Sequence, residues 1–398
     1  MTIHIGFAQA PITPSLDRPV FLAGFGRDRR AESVHDPLTA RALAVDNDGR
    51  LLIIIALDLI SLHRGQCGAI AARVAARLPG AATLVACTHT HHGPDTLGLW
   101  GPDEMTPGVD PVYMAGLMDT IEATAVAAAA ERHEAHLAAA STVVTGVAKN
   151  FRDPAITDEE LTCLGFRRPD GRPLATWLIY PCHPEVLWDE NPHMTADYIH
   201  SLRREVEAAT GAPCLVHVGA LGGMMSPDVV DHSFEEAEAM GVTLAAAALA
   251  TLAEADAVPV DRVAYDRHEY AIPMANPLFE AAAAIGLLPD VKRPDGTVLT
   301  EAALLRFDDV WLFAVPGELL PKLGLRYREM LRAGGARLTG IIGLANDELG
   351  YILAAEDFRA PADYFNHGDS YEESMSIGPT AGPDLTAALA HLIAQATG

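Results

Sequence analysis

Residues 82–94, ATLVACTHTHHGP, decide how this chain folds. Ala82 to Cys87 read as a short buried strand, and they run directly into Thr88, His89, Thr90, His91, His92, Gly93 and Pro94. Three histidines in four positions at a strand exit are hard to explain by packing. In extended chain residues i and i+2 share a side, so His89 and His91 can face one point. Neutral imidazole is the commonest zinc ligand, and a catalytic zinc keeps an open position beside its protein ligands.

Working outward, the runs LLIIIAL, LATWLIY, CLVHVGA, VWLFAV and TGIIGL read as further buried strands. Between them lie Ala-rich segments of helical length: Gly65 to Leu78, Val112 to Arg132 behind Pro111, Ala196 to Ala209 with Thr195 as N-cap, and Phe234 to Ala253. This alternation predicts an α/β fold, a mixed β-sheet core flanked by helices with the site at the carboxyl ends of the strands. Ser141 to Ala148 and Arg262 to Ile272 look like strands without crossover helices, so a purely parallel sheet is not expected. Pro277 to Thr300, which contains KRPDG, reads as an excursion or loop. One domain spanning residues 1–398 is expected.

Polar clusters follow five of the strands. Beside the histidine cluster these are Pro181-Cys182-His183-Pro184-Glu185, Gly222 to Asp228, Pro316-Gly317-Glu318, and Ala345-Asn346-Asp347 through Tyr351. Clusters far apart in sequence can converge in the crevice beyond the strand ends. Taken singly they are ordinary. His183 is equally readable as a core histidine, Glu318 as the first turn of a helix, Ser226 as an N-cap and Arg152 as a surface cation. The HxHxDH spacing of metallo-β-lactamases does not apply, because Gly93 and Pro94 stand at the Asp and His positions.

Composition narrows the function classes. With 49% hydrophobic and 20% charged residues the chain has ordinary globular composition. Its formal net charge of -25 opposes nucleic-acid backbones and anionic membrane surfaces. The longest apolar runs, such as Leu51 to Ile60 with Asp58 inside it, are too short to span a bilayer. The partner expected is therefore a small-molecule substrate, with no nucleic acid and no membrane. MTIHIGFAQAPITP has no basic region followed by an apolar one, which predicts a cytoplasmic location. The five cysteines are scattered with no CxxC pair, so buried thiols are expected rather than disulfides or a thiolate zinc site.

Read in order, the clusters resemble the catalytic domain of the neutral, non-lysosomal ceramidases. HTHHGP is similar to that family's HTHSGP, NFRDP to NRSP, PCHPEV to its FPTH strand exit, and GGMMSPD to NxGxxSPN. VPGE, GYILAAEDF and SYEESMSIGP resemble its VPGE, YxxTxEEY and YEGxxTxxGP motifs, and the order holds from about residue 1 to residue 385. The resemblance implies Zn2+ held by His89, His183, Glu318 and Tyr351. It implies His91 as the acid/base group, Arg152 and Tyr371 as oxyanion donors, and Ser226 in contact with substrate. His92, in place of the family's Ser, is a further substrate-binding candidate. Asp228 replaces Asn, AAED replaces TxEE, and neither the family's C-terminal β-sandwich nor a secretion signal is expected here.

The reaction these readings imply is amide hydrolysis of a small soluble N-acyl substrate by metal-activated water, with ester or lactone cleavage as a close variant. Ser226 as a covalent nucleophile ranks lower, because MMSPD is not a GxSxG elbow. A non-catalytic metal- or metabolite-binding protein is the reading outside enzymes. Asp58 and Asp197 are available to orient the histidines, although a strand-end turn and a helix first turn explain them better.

Overall fold

The computed structural model describes residues 2–288 and 293–398. Alternation along the strands sorts side chains to two faces. In Thr39–Asn47 and Arg50–Leu57, Ala40, Ala42, Ile53 and Ile55 pack toward helices, while Leu43, Val45, Leu52 and Ile54 face a second sheet. The same alternation in Thr297–Phe307 and Val310–Ala314 sends Leu305, Phe307 and Leu312 inward and Leu304, Trp311 and Phe313 outward. The result is four layers: helices, a nine-stranded sheet, a four-stranded sheet, and helices.

The larger sheet runs in the spatial order Cys214–Val218, Pro173–Tyr180, Glu160–Arg167, His133–Val143, Ile3–Pro11, Thr39–Asn47, Arg50–Leu57, Ala82–Cys87, with Ala257–Pro259 also paired to His133–Val143. The smaller runs Val263–Pro273, Thr297–Phe307, Val310–Ala314, Leu338–Ile342. Each contains parallel and antiparallel pairs, as the sequence predicts. Among the described residues the helices are α1 (Arg64–Arg77), α2 (Pro111–Ala130), α3 (Tyr198–Thr210), α4 (Phe234–Glu254), α5 (Pro277–Ala284), α6 (Pro321–Ala333), α7 (Tyr371–Ser374) and α8 (Ala381–Thr397). Helices α1 to α4 cover the larger sheet, and α6 and α8 the smaller one. By length and composition α4 is apolar enough to cross a membrane, but Met240, Leu244, Ala248 and Leu252 pack it onto α3 and the sheet.

One topological fact positions the site. Between Pro173–Tyr180 and Ala82–Cys87 the ladder takes five antiparallel steps and one parallel step, so the two strands run in opposite senses within the sheet. The sheet curls, and its edge strand Cys214–Val218 meets Arg50–Leu57, with His217 Nε2 3.2 Å from the Ile55 carbonyl. This curl brings the two strand exits together.

Several boundaries differ from expectation. The N-cap of α3 is Asp197, whose carboxylate accepts the Tyr198 N–H, while the Thr195 hydroxyl accepts the Asp197 N–H. Ser141 to Ala148 is the end of the longer strand His133–Val143 plus a turn, because the alanines of that strand look helical by propensity alone. Within Pro277 to Thr300 the chain forms α5 and the start of Thr297–Phe307, and residues 289–292 lie outside the described residues. All five cysteines are free and buried.

Candidate metal centre

Main-chain bonds fix the first histidines before any side chain acts. Beyond Ala82–Cys87, the Thr88 and His89 N–H groups donate to the Leu57 and Leu59 carbonyls at the exit of the neighbouring parallel strand. His89 sits at φ +66°, a conformation costly for a non-glycine residue and concentrated at functional sites. The Thr90 hydroxyl donates to the Thr195 carbonyl, which turns Thr90 away and leaves His89 and His91 on one side. Gly24 makes room for that arrangement: a Cβ there would lie 2.3 Å from the His91 ring.

The other exits deliver the remaining groups. His183 follows Pro173–Tyr180, its N–H bonded to the Met225 carbonyl. Glu318 and Tyr351 are direct partners in a two-residue parallel ladder, Glu318–Leu319 beside Tyr351–Ile352, so the carboxylate and the phenol emerge side by side. Gly317, at φ +146°, approaches the Gly350 carbonyl too closely for any Cβ.

Nδ1 of His89 lies 2.8 Å from the Ile60 carbonyl, and Nδ1 of His183 lies 3.0 Å from the Met225 carbonyl. A carbonyl only accepts, so each Nδ1 carries a proton and each Nε2 is the nitrogen left to face the cluster. Those Nε2 atoms lie 3.6 and 3.1 Å from the same Glu318 oxygen. Donor atoms of His89, His91 and His183 all fall within 4.8 Å of one another. Nitrogen and oxygen donors converging in this way, with imidazoles oriented by backbone carbonyls, could hold a metal ion.

Behind His91 stands Glu185, fully buried, 3.0 Å from His91 Nδ1 and accepting the Ser226 hydroxyl at 2.5 Å. Burial opposes its charge, but His183 and His91 hold the Glu185 carboxyl down to about 2. Burial likewise opposes the imidazolium of His183, yet Glu185 and Glu318 raise it to about 9. Burial dominates at His91 and lowers it to about 4 despite Glu185. Both of its ring nitrogens are buried without a well-formed hydrogen bond among the described residues, although Glu185 lies within ion-pair distance of Nδ1. Glu185 belongs to the PCHPEV motif, yet nothing in sequence couples it to His91, 94 positions earlier.

His89, His91, Glu318, Tyr351 and Tyr371 line one cavity of about 790 Å³, its open mouth included. His183 adjoins them through Glu318. The tyrosine rings meet edge to face at 5.8 Å. Burial, reinforced by Glu318, keeps both phenols protonated, Tyr371 up to about 12.

Three expected residues lie elsewhere. Ser226 is on Glu185, behind His91 rather than in the cavity. His92 is wholly buried on the opposite side, within 3.1 Å of Asn191 and 3.6 Å of Asp197. Alternation explains it: where His91 faces the cavity, His92 faces the core. Arg152 is held outside the cavity by Glu372 at 2.8 Å and Glu373 at 2.7 Å, an ion-pair knot that anchors α7 and with it Tyr371. Asp58 is paired with Arg203 and Thr39 and touches no histidine of the cluster.

Among solved structures, the neutral ceramidase from Pseudomonas aeruginosa superposes on this chain with a TM-score of 0.82 at 18% identity, covering 100% of this chain and 74% of that one. A ceramidase complexed with C2 gives 0.79 at 17% identity, covering 100% and 75%. This chain has the neutral-ceramidase fold. No family model and no curated protein matches it. The ceramidase fold accounts for the whole α/β arrangement, and at this identity the chemistry rests on the residues described above.

Proposed function

We propose that this protein is a zinc-dependent hydrolase that cleaves the amide bond of a small N-acyl substrate. One observation carries the reading: two carbonyl-pinned imidazoles aim Nε2 at a single Glu318 oxygen in the floor of a cavity. His89, His183 and Glu318 would hold the metal, with Tyr351 beside Glu318 as the fourth protein donor. When bound, zinc supplies Lewis acidity that polarises a carbonyl and makes water nucleophilic near neutral pH.

The chain's own groups divide the remaining work. His91, oriented by Glu185, presents Nε2 to the cavity, takes a proton from the attacking water there and passes it to the departing nitrogen. The Tyr371 hydroxyl donates to the carbonyl oxygen as negative charge develops there. Arg152 acts through Tyr371 by anchoring α7. The C–N bond breaks, the acyl carbon gains the water oxygen, and the products are a carboxylate and an amine. Leu97, Trp100, Phe279 and Ile377 give the cavity apolar walls that suit an acyl chain and exclude water. That the two neighbours are ceramidases favours amide over ester or lactone cleavage.

The test joins metal analysis of purified protein with a panel of N-acyl amides, esters and lactones. Near-stoichiometric zinc with amide turnover is the expected result. Bound zinc without turnover in any class points instead to a binding protein, and lack of zinc removes the site. His91→Gln should keep the zinc and lose turnover; loss of both would make His91 a ligand.

A further inference from the structure

Part of the apolar side of the same cavity is built by a loop that closes on one carboxylate. The loop, residues 95–108, lies between Ala82–Cys87 and α2, and Asp95 ties its two ends together. Asp95 Oδ1 accepts the Leu97 and Gly98 N–H groups at 3.0 and 2.7 Å, and Oδ2 accepts those of Trp100 and Gly108, both at 3.1 Å. An ionised carboxylate offers about four acceptor positions, and four main-chain donors fill them. Asp95 is only 1% exposed, so these bonds are shielded from competing water. Two glycines let the loop fold this tightly. A Cβ on Gly101 would lie 1.8 Å from the Thr106 carbonyl oxygen, and one on Gly108 would lie 2.7 Å from Asp95 Oδ2.

What the loop presents is cavity lining. Leu97, Leu99 and Trp100 line the cavity; Leu97 packs with Ala23 and Ile60, and the other two close over them. Asp95 lines no part of the cavity, and its side-chain hydrogen bonds reach none of the residues of the metal centre. Three of the four N–H groups it holds belong to Leu97, Gly98 and Trp100, so the carboxylate fixes the backbone that aims these side chains. A surface ordered before the ligand arrives loses less on binding than one the ligand must order. We propose that Asp95 is a positioning residue for acyl-chain selectivity, holding Leu97, Leu99 and Trp100 as a rigid surface against which the acyl methylenes are buried. This assignment rests on the amide-hydrolase reading and adds to it the residue that sets chain-length preference. Asp95→Asn turns one acceptor oxygen into a donor facing two N–H groups. The loop then loosens while every apolar side chain is kept.

Four amides of propylamine test it, carrying acetyl, butyryl, hexanoyl and octanoyl chains. In the wild type kcat/KM should rise along the series, by up to roughly fourfold for each methylene the surface buries. Asp95→Asn should keep its zinc and lower the octanoyl-to-acetyl ratio by about tenfold, a little less than two methylenes returned to water would cost. The loss should appear in KM rather than kcat. A wild type indifferent to chain length overturns the proposal. So does a variant whose four rates fall together with the ratio unchanged, which is the signature of a merely structural role. Zinc loss in the variant would also overturn it, placing Asp95 behind the metal centre instead. If none of the four is cleaved, calorimetric titration of the same compounds into the protein as purified reads the ratio. A ratio that falls in the variant then leaves the loop assignment standing while the hydrolase reading fails, and an unchanged ratio sinks the assignment. Gly108→Ala, which pushes on Asp95 Oδ2 from the far end of the loop, provides the same comparison if Asp95→Asn does not fold.

Discussion

The floor and the wall of the cavity are held in place by different means. On the floor, His89 and His183 are fixed by main-chain bonds to neighbouring strand exits and by carbonyls on Nδ1, and Glu318 is locked into a ladder with Tyr351. On the wall, Tyr371 rides on a four-residue helix tied down chiefly by Arg152 through Glu372 and Glu373. The floor therefore keeps its shape when one side chain is changed. The wall depends on a single ion-pair knot, and removing one partner of such a knot leaves buried carboxylates uncompensated.

The largest expected effect tests the floor. Glu318→Ala removes the group on which both Nε2 atoms converge, so zinc content and activity should fall together. The activity loss should exceed the roughly thousandfold known for losing one oxyanion donor. Full activity in that variant would break the ligand assignment, and metal analysis beside turnover decides it.

Next comes the group that orients His91. Glu185→Gln should keep the zinc and lower activity by about a hundredfold, the upper range for an orienting partner. Zinc loss there would show that Glu185 supports the floor rather than His91.

The wall should respond more mildly. Arg152→Ala should retain zinc and reduce kcat roughly tenfold, below the hundredfold that an ångström of misplacement can cost. Its double variant with Tyr371→Phe should cost little more than Tyr371→Phe alone, since residues acting through one another are not additive. Additive losses would instead place Arg152 at the substrate.

The smallest effect concerns the scaffold behind the floor. Burial raises Asp197 from 3.8 to about 7, against the amide N–H groups it accepts. The native state thus binds this proton more tightly than the unfolded chain. Its stabilising contribution is complete below about pH 4 and is lost as pH rises through 7. Asp197→Asn keeps an N-cap but does not titrate, so its Tm should gain on wild type between pH 5 and pH 8. A pH-independent difference in thermal denaturation would rule this out.

Much of the site was legible because local chemistry and strand position coincide. The runs ending at Cys87, Tyr180, Ala314 and Ile342 are apolar enough to read as strands, and His89, His183, Glu318 and Tyr351 stand just beyond them. Glu185 was not legible as a site residue. It sits in an unremarkable local context and gains meaning from groups distant in the chain. Ser226, His92 and Arg152 show the converse: motif position puts them near the site, while alternation and ion pairing turn them elsewhere.

By itself the sequence determined the elements, the mixed α/β class and the cluster of potential metal donors, since hydrophobic periodicity and histidine spacing are local properties. Only the tertiary structure decided that two sheets stack between helix layers, and that the larger curls to join the exits of oppositely directed strands. It alone decided which histidine faces the cavity and which arginine anchors the wall. Those outcomes depend on long-range packing and on competition among charges for partners, which no short stretch of chain encodes.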